Sequence, residues 1–428
     1  MDTIFALSTA PGKAGVAVIR VSGPDAPSAA SVVCGGLPTP RFASLRVLYD
    51  THGERLDEAL VLYFPDGASF TGDAVLELQV HGSAAIISAL FDTLGKIPGL
   101  RMAEAGEFTR RALANGRLDL TQVEALGDLL ESETEAQRRQ AERVFSGSLG
   151  RKCAEWRQSL IRALALIEVT IDFADEEVPA DVLPEVRQLL DGVIDGLDAE
   201  VSGAVAAERI RSGFEVAILG APNVGKSTLL NALAGRDAAI TSQYAGTTRD
   251  VIEVRMDIGG LPVTLLDTAG LRETTDAVEN IGIARARSRA EAADLRVFLS
   301  EQDDDFEDLR QAGDILVHAK GDTRPDVENA ISGLTGLGVE DLMSRIEAEL
   351  TQRAQGAGLA IRARHQAVMR QGRQALQDAR TGLAADDAAT DLASDDIQRA
   401  VRALDSLVGR IDVESVLGEI FSSFCLGK

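Results

Sequence analysis

The sequence predicts a multidomain α/β and α protein, in which a parallel α/β domain interrupts a helical one behind an α+β N-terminal domain. Three observations predict it. Gly220-Ala-Pro-Asn-Val-Gly-Lys-Ser227 follows the apolar run Phe214–Leu219, so a glycine-rich loop leaves a strand and opens a helix. Apolar residues on both sides of that region recur at spacings of three and four, the period of a helix with one covered face. Ahead of residue 119 the pattern is instead of short β-branched runs punctuated by glycine.

Residues 1–118 read as α+β. Gly12, Gly15 and Gly23 bracket Val16–Val21, and Val75–His81 alternates as a strand with one covered face does. Residues 119–212 form the first helical part. Trp156, Leu160, Leu164, Ile167 and Ile171 make one stripe, and Val186, Leu190, Val193, Leu197 and Val201 another. Thr121 and Glu124 are placed to close a capping box at the first helix. Residues 213–350 alternate strand and helix signals. Val251–Ile258 and Leu261–Leu266 flank Gly259-Gly260 as a hairpin, and Asp294–Ser300, Asp314–His318 and Glu328–Ile331 are further strand candidates. Residues 351–428 return to the helical period through Ile397, Val401, Leu404, Val408 and Ile411, with Thr381–Asp396 expected as a loop.

Composition bounds the function. The 428 residues carry a formal charge of −24, which repels phosphate backbones on average, so any nucleic-acid contact needs a local basic patch or a partner. Arg138, Arg139, Arg143, Arg151 and Lys152 offer such a strip, or else a solvated helix face. Three widely spaced cysteines, Cys34, Cys153 and Cys425, show no metal-ligand spacing and suggest a reduced, cytoplasmic setting. The N-terminus lacks the basic segment of a signal peptide, and no apolar run reaches membrane-spanning length, so no membrane partner is expected. The best membrane candidate, Leu160–Ile171, carries Arg162 and Glu168 and reads as a buried helix.

The glycine-rich loop supplies backbone N–H groups and a helix N-terminus to a phosphate chain. Asn223, Val224, Gly225, Lys226, Ser227 and Thr228 are its binding residues; Lys226 reaches the β- and γ-phosphates, and Ser227 can ligand Mg²⁺. Downstream, Thr248 in Gly246-Thr-Thr-Arg-Asp250 can complete the Mg²⁺ sphere. Asp267-Thr268-Ala269-Gly270 ends a strand, where ligands bind in open α/β sheets. Loop, Thr and D-x-x-G in this order make a Ras-like P-loop G domain. His318-Ala-Lys-Gly-Asp322 resembles the guanine-reading N-K-x-D motif, with Lys320 along the ring and Asp322 on the N1 and N2 hydrogens. The motif's Asn is Ala319 here, a lost bond worth about 0.5–1.5 kcal/mol. Ser332-Gly333-Leu334 resembles the last guanine-contacting turn, usually S-A-x, with Gly333 in place of Ala.

Catalysis needs another group, because Leu271 occupies the position where many small GTPases carry a water-orienting Gln. Asn223, with carbonyls from Ser242–Thr247, can hold a monovalent cation against the phosphates. Glu273, Asp276 and Glu279 are all candidates to orient water, and Arg249 and Arg272 to donate charge.

With these residues in view, the chain resembles the MnmE (TrmE) family of tRNA-modification GTPases over essentially its whole length. The likeness rests on Asp2-Thr-Ile4, Pro11-Gly-Lys-Ala-Gly-Val16, Arg20-Val-Ser-Gly23, the run Phe70–Gln79, Gly106-Glu-Phe-Thr-Arg110, the run Leu118–Ala125 and Ile171-Asp-Phe-Ala-Asp-Glu-Glu177. It continues through the G motifs, Asp267–Glu273, Ile281-Gly-Ile283 and the terminal Cys425-Leu-Gly-Lys428. The resemblance implies a homodimer whose G domains meet when GTP and K⁺ are bound. It implies K⁺ ligands at Asn223, Ser242, Tyr244 and Thr247 within the nucleotide-contacting run Ser242, Gln243, Tyr244, Ala245, Gly246, Thr247 and Thr248, and it selects Glu279 as the water-orienting acid. It further implies an N-terminal domain that dimerises and binds 5-formyl-tetrahydrofolate or a related folate through Arg20, Glu77 and Arg117, the last usually a Lys, with Lys428 reaching in from the tail. A pterin edge suits a carboxylate, and cations suit a glutamate tail; surface ion pairing is the competing reading of Arg20, Glu77 and Arg117. The implied activity is GTP hydrolysis with an FAD-dependent partner of the MnmG (GidA) type, adding a carboxymethylaminomethyl or aminomethyl group at C5 of the wobble uridine of tRNA. Cys425 is a motif residue of unassigned role. A rival reading is a GTP-dependent binding switch such as a ribosome-assembly factor related to Era or Der, whose G motifs would be the same; folate binding separates the two.

Overall fold

The computed structural model describes residues 2–172, 182–221, 223–235, 240, 253–267, 287–300, 307–324, 326–385, 390–411, 417, 420, 421 and 427. The chain forms two compact units, one of residues 1–127 with 405–428, the other of residues 128–404.

The first unit is built on a six-stranded sheet. Its strands are β1 (Thr3–Leu7), β2 (Ala14–Ser22), β3 (Ser44–Tyr49), β4 (Arg55–Phe64), β5 (Val75–Gly82) and β6 (Leu100–Met102), in the order β3-β4-β5-β2-β1-β6. All neighbours are antiparallel except β1 and β6. The alternation in β5 has the expected cause, since Leu76, Leu78 and Val80 enter the core while Glu77 and Gln79 stay half-buried. Helices α1 (Ala26–Cys34) and α2 (Ala84–Gly95) add Ala29, Ala30, Val33, Leu90 and Leu94 to that core. Helix α3 (Glu107–Ala114) follows, and then α4 (Leu120–Glu131).

The cap of α4 differs from expectation. Asp119 Oδ1 accepts from Gln122 N at 2.8 Å, and Gln122 Oε1 accepts from Asp119 N at 3.0 Å. The box is therefore Asp119 with Gln122. Thr121 donates its hydroxyl to the same Asp119 carboxylate, so it serves the cap instead of being it.

The second unit begins its own helices with α5 (Glu135–Phe145), α6 (Ser148–Asp172) and α7 (Leu183–Ser212). Thr134 and Gln137 close a capping box on α5. The predicted stripes are buried at Trp156, Leu160, Leu164 and Ile167, and at Val186, Leu190, Val193 and Leu197. Val201 is half-buried, and the side chain of Ile171 lies outside the described residues.

A five-stranded sheet follows, of β7 (Phe214–Leu219), β8 (Glu253–Ile258), β9 (Leu261–Asp267), β10 (Leu295–Ser300) and β11 (Ile315–His318), in the order β11-β10-β7-β9-β8. It is parallel except for the β8–β9 hairpin, which turns at Gly259-Gly260 as predicted. Glu328–Ile331 is not a strand; a single bridge joins His318 to Ala330. Helix α8 (Lys226–Ala234) and α9 (Val339–Ala354) cover the sheet core through Leu229, Leu233, Leu342 and Ile346.

Helices α10 (Ala363–Ala385) and α11 (Thr390–Leu407) follow and correct the loop expected over Thr381–Asp396 at its two ends, 381–385 and 390–396, while 386–389 lie outside the described residues. At those two ends Ala384, Ala385 and Ala393 are strong helix formers. The stripe Ile397, Val401, Leu404 and Val408 is buried, while Ile411 beyond the helix is half-buried. No helix among the described residues is long and apolar enough to cross a membrane.

Candidate active site

The sheet of the second unit aims its carboxyl ends at the glycine-rich loop. Strand β7 is buried along almost its whole length and delivers the chain to Gly220. A Cβ on Gly220 would lie 2.1 Å from Leu299 O, at the end of neighbouring β10, so no side chain fits there. Asn223 takes a left-handed φ of 62°, which Asn tolerates better than most residues. Gly225 is the N-cap of α8 at φ 115°. The first N–H groups of α8 thus face the loop, where the helix dipole favours an anion. Lys226 is buried, and its Nζ donates to Gly220 O at 2.7 Å and Ala221 O at 3.0 Å, which holds the ammonium inside the loop.

An open cavity of about 360 Å³ joins this loop to the ends of β10 and β11. That volume lies within the ~300–1,000 Å³ range of small-molecule sites. Asn223, Val224, Gly225 and Thr228 line one side, with Lys320, Asp322, Ser332, Gly333 and Leu334 on the other. The structure therefore brings the glycine-rich loop and the segments expected to read the base into one cavity. Ala319 also lines it, but its methyl is 4% exposed and belongs to the sheet core, so no side-chain polar group stands where N-K-x-D carries an amide. Lys320 adopts φ 58°, Asp322 is exposed, and Ser332 is buried with its N–H on Leu337 O at 3.0 Å.

Asp267 pairs with Ile218 at the end of β9, two residues from Gly220 along the neighbouring strand. Its side chain, Thr268, Ala269, Gly270, the run Ser242–Thr248, Arg249, Leu271, Arg272, Glu273, Asp276 and Glu279 lie outside the described residues.

Sequence reasoning passed over the pair that braces the opposite, amino end of β10 and β11. Arg296 on β10 is 1% exposed, and its Nε donates to Asp314 at 2.8 Å. The same guanidinium donates to the carbonyls of Ala290, Glu291 and Ala293 and to Gln311 Oε1. The basic strip is largely neutralised: Arg138 and Arg139 share Glu135, and Lys152 pairs with Glu200 at 2.6 Å.

In the first unit, Arg20 and Glu77 face each other across β2 and β5 and form an ion pair at 2.9 Å. The Arg20 guanidinium also lies 5.9 Å from the Phe70 ring and 5.7 Å from the Phe108 ring. Arg117 is exposed and covers Gly72 in the turn that carries Phe70. Asn115 ties that turn down by donating to Thr71 O and Asp73 Oδ1. A Cβ on Gly427 would lie 2.0 Å from Leu7 O, so the tail presses backbone to backbone on the end of β1, where Leu7 pairs with Ile19 next to Arg20. Cys425 and Lys428 lie outside the described residues.

A second network missed by sequence reasoning closes around Glu107 and Arg111, whose i,i+4 spacing was a readable signal. Arg101 donates to Glu107 at 2.6 Å, and Arg111 reaches Asp2 and Asp73 as well. Burial pushes the Glu107 carboxyl up, but bonds from Arg101, Glu104 N and Arg111 outweigh it and hold it below its ordinary range.

A parallel sheet, a glycine loop opening a helix at its carboxyl edge and a base-side pocket with Lys and Asp define a P-loop nucleotide-binding protein. The sequence matches the family model of the TrmE N-terminus (GTP-binding protein) over residues 3–117 and that of the MnmE helical domain over residues 120–425. The chain belongs to the MnmE family of tRNA modification GTPases. It is 59% identical to the tRNA modification GTPase MnmE of Cereibacter sphaeroides, 58% to that of Ruegeria pomeroyi and 50% to that of Paracoccus denitrificans, each over the full length of both chains. Among solved structures it is similar to Aquifex aeolicus Era Y63A bound to GDP·AlF4⁻, at 27% identity and TM-score 0.24, over 32% of this chain and 56% of that one.

Proposed function

We propose that this protein hydrolyses GTP in the cytoplasm and, as a homodimer working with an FAD-dependent partner of the MnmG (GidA) type, modifies C5 of the wobble uridine of tRNA with a one-carbon unit from 5-formyl-tetrahydrofolate. The observation that carries the reading is the single cavity that unites Asn223–Thr228 with Lys320, Asp322 and Ser332–Leu334. In this reading Lys226 and the N–H groups of α8 hold the phosphates, Asp322 reads guanine, and Ser227 and Thr248 ligand Mg²⁺. K⁺ sits against the phosphates on Asn223, Ser242, Tyr244 and Thr247 and offsets developing charge, while Glu279 orients the attacking water. Four segments divide the labour: 1–118 for dimerisation and folate, 213–350 for GTP, and 119–212 with 351–428 as the helical body.

The folate assignment draws support from the first unit. The Arg20 guanidinium of the Arg20–Glu77 pair lies close to two aromatic rings, and Gly427 sits against the end of the strand next to the pair. The assembly-switch alternative is set aside because the family match spans both flanking regions.

The test is wobble-uridine analysis of tRNA from cells lacking the protein, together with GTPase rates of the purified chain in K⁺ and Na⁺. Loss of the C5 modification and a faster rate in K⁺ are expected. A wobble uridine that keeps its C5 modification in the deletion, or equal rates in the two salts, defeats the corresponding half of the proposal.

A further inference from the structure

We infer that Gly333 is a positioning residue for the nucleotide: it sets the distance between the base-reading turn and the phosphate-binding helix through direct backbone contact. This rests on reading the cavity as the guanine-nucleotide site. A Cβ at position 333 would lie 2.7 Å from Leu229 N, 2.8 Å from Leu229 Cα and 2.8 Å from Thr228 C. All three are backbone atoms of the first turns of α8, the helix whose N-terminus belongs to the phosphate loop. No side chain stands between the two segments, so the turn is seated directly on the helix.

Hydrogen bonds then carry that seat to the base loop. Gly321 N donates to Ile331 O, Ile331 N donates to His318 O, and Ser332 N donates to Leu337 O, all between 2.7 and 3.0 Å. Lys320 and Asp322 flank Gly321, so their placement is referred to α8 through Ile331, Ser332 and Gly333. Backbone contact matters more in this chain because Ala319 offers only a buried methyl across the pocket. A side chain that could tie the base loop to its surroundings is missing there, and the Gly333 seat takes over the task.

Which partner yields to an added methyl is decided by burial. Leu229, Leu230 and Leu233 are at most 1% exposed, so α8 cannot retreat without opening the sheet core. Leu334 is 78% exposed, so the turn is free to lift. A Gly333→Ala change therefore displaces the base side of the cavity and leaves the phosphate side in place.

The experiment uses the full chain with mant-GDP, GTP and inorganic tripolyphosphate, the last a probe with phosphates and no base. In Gly333→Ala, mant-GDP affinity is expected to fall about tenfold and KM for GTP to rise in parallel, in keeping with one methylene forced into a packed contact. The kcat at saturating GTP and inhibition by tripolyphosphate are expected to stay at wild-type values. Leu334→Gly, which loosens the same turn without adding an atom, is expected to weaken mant-GDP and spare tripolyphosphate, and it keeps the test alive if the alanine variant misfolds. Unchanged mant-GDP affinity in both variants overturns the inference, as does an equal loss for tripolyphosphate, which would mean that α8 had moved. A wild-type chain that fails to bind mant-GDP defeats the underlying site reading instead.

Discussion

Replacing Arg296 by Met removes a guanidinium while keeping much of its apolar stem. Arg296 is 1% exposed and the side chain of its partner Asp314 is fully buried. The change leaves Asp314 with backbone donors only, from Arg296 N at 3.1 Å and Gln311 N at 2.7 Å. It also strands Gln311 Oε1 and the carbonyls of Ala290, Glu291 and Ala293, which the guanidinium otherwise satisfies at the end of the helical residues 287–292. Breaking a buried pair by removing one partner costs about 3–5 kcal/mol, because the remaining charge is left in a poor solvent. The nearest readout is hydrogen exchange of peptides covering β10 and β11, whose protection should fall by roughly two to three orders of magnitude. The functional echo follows from Leu299 O against Gly220 and from Ala319 N on Ser300 O: a looser β10 should raise KM for GTP. A double variant, Arg296→Met with Asp314→Leu, should cost less than the sum of the single changes. A single variant with less than about tenfold loss of protection would refute the claim that this pair braces β10 and β11 from their amino ends.

Asp322→Asn should move the base preference from guanine toward xanthine, measured as competition between GTP and XTP for mant-GDP; unchanged selectivity would remove Asp322 from base reading. The Glu107 carboxyl is depressed in the folded chain, so its contribution to stability is present above the ordinary carboxylate range and is lost as pH falls through the folded value. Glu107→Gln should cost about 3 kcal/mol at neutral pH and flatten the acid limb of the melting curve, and an acid limb equal to wild type would contradict it. Burial pushes the Cys34 thiol up to about 11, so peptide mapping after iodoacetamide at pH 8 should find it unmodified in the folded chain, whereas rapid alkylation would show that the thiol is accessible as thiolate.

The parts of this protein that were legible in the sequence are those whose physics is local. A phosphate cradle needs glycines at fixed offsets, a lysine and a helix start, and all of these sit within eight consecutive residues. The hairpin at Gly259-Gly260 and the buried helical stripes are equally short-range. Asp119 and Thr121 illustrate where even local reading divides. Both are good cap residues two positions apart, and only the bonds to Gln122 and between the two side chains show that the aspartate caps and the threonine supports it. The segment Thr381–Asp396 is a contest between alanine's helix propensity and aspartate's turn preference, which composition alone does not decide.

What escaped the sequence is set by register and by backbone approach. Arg296 and Asp314 are eighteen residues apart, and nothing in either neighbourhood names the other. Their meeting depends on β10 and β11 lying parallel with Val297 opposite Ile315, a register chosen by the whole apolar face. Gly427 and Gly333 pose the same difficulty in another form. Each stands in a recognisable motif, yet the reason for a glycine is a carbonyl or a helix turn hundreds or about a hundred residues away that leaves no room for a Cβ. The substitution of Ala319 and the glycine at 333 look like two separate weakenings of a guanine motif. Seen from Leu229, they bear on one pocket: the methyl at 319 withholds a side-chain tie, and the bare backbone at 333 lets the turn rest directly on α8. Loss of affinity at one position can therefore be offset by preorganisation at the other, and the net effect on GTP binding is a property of the pair.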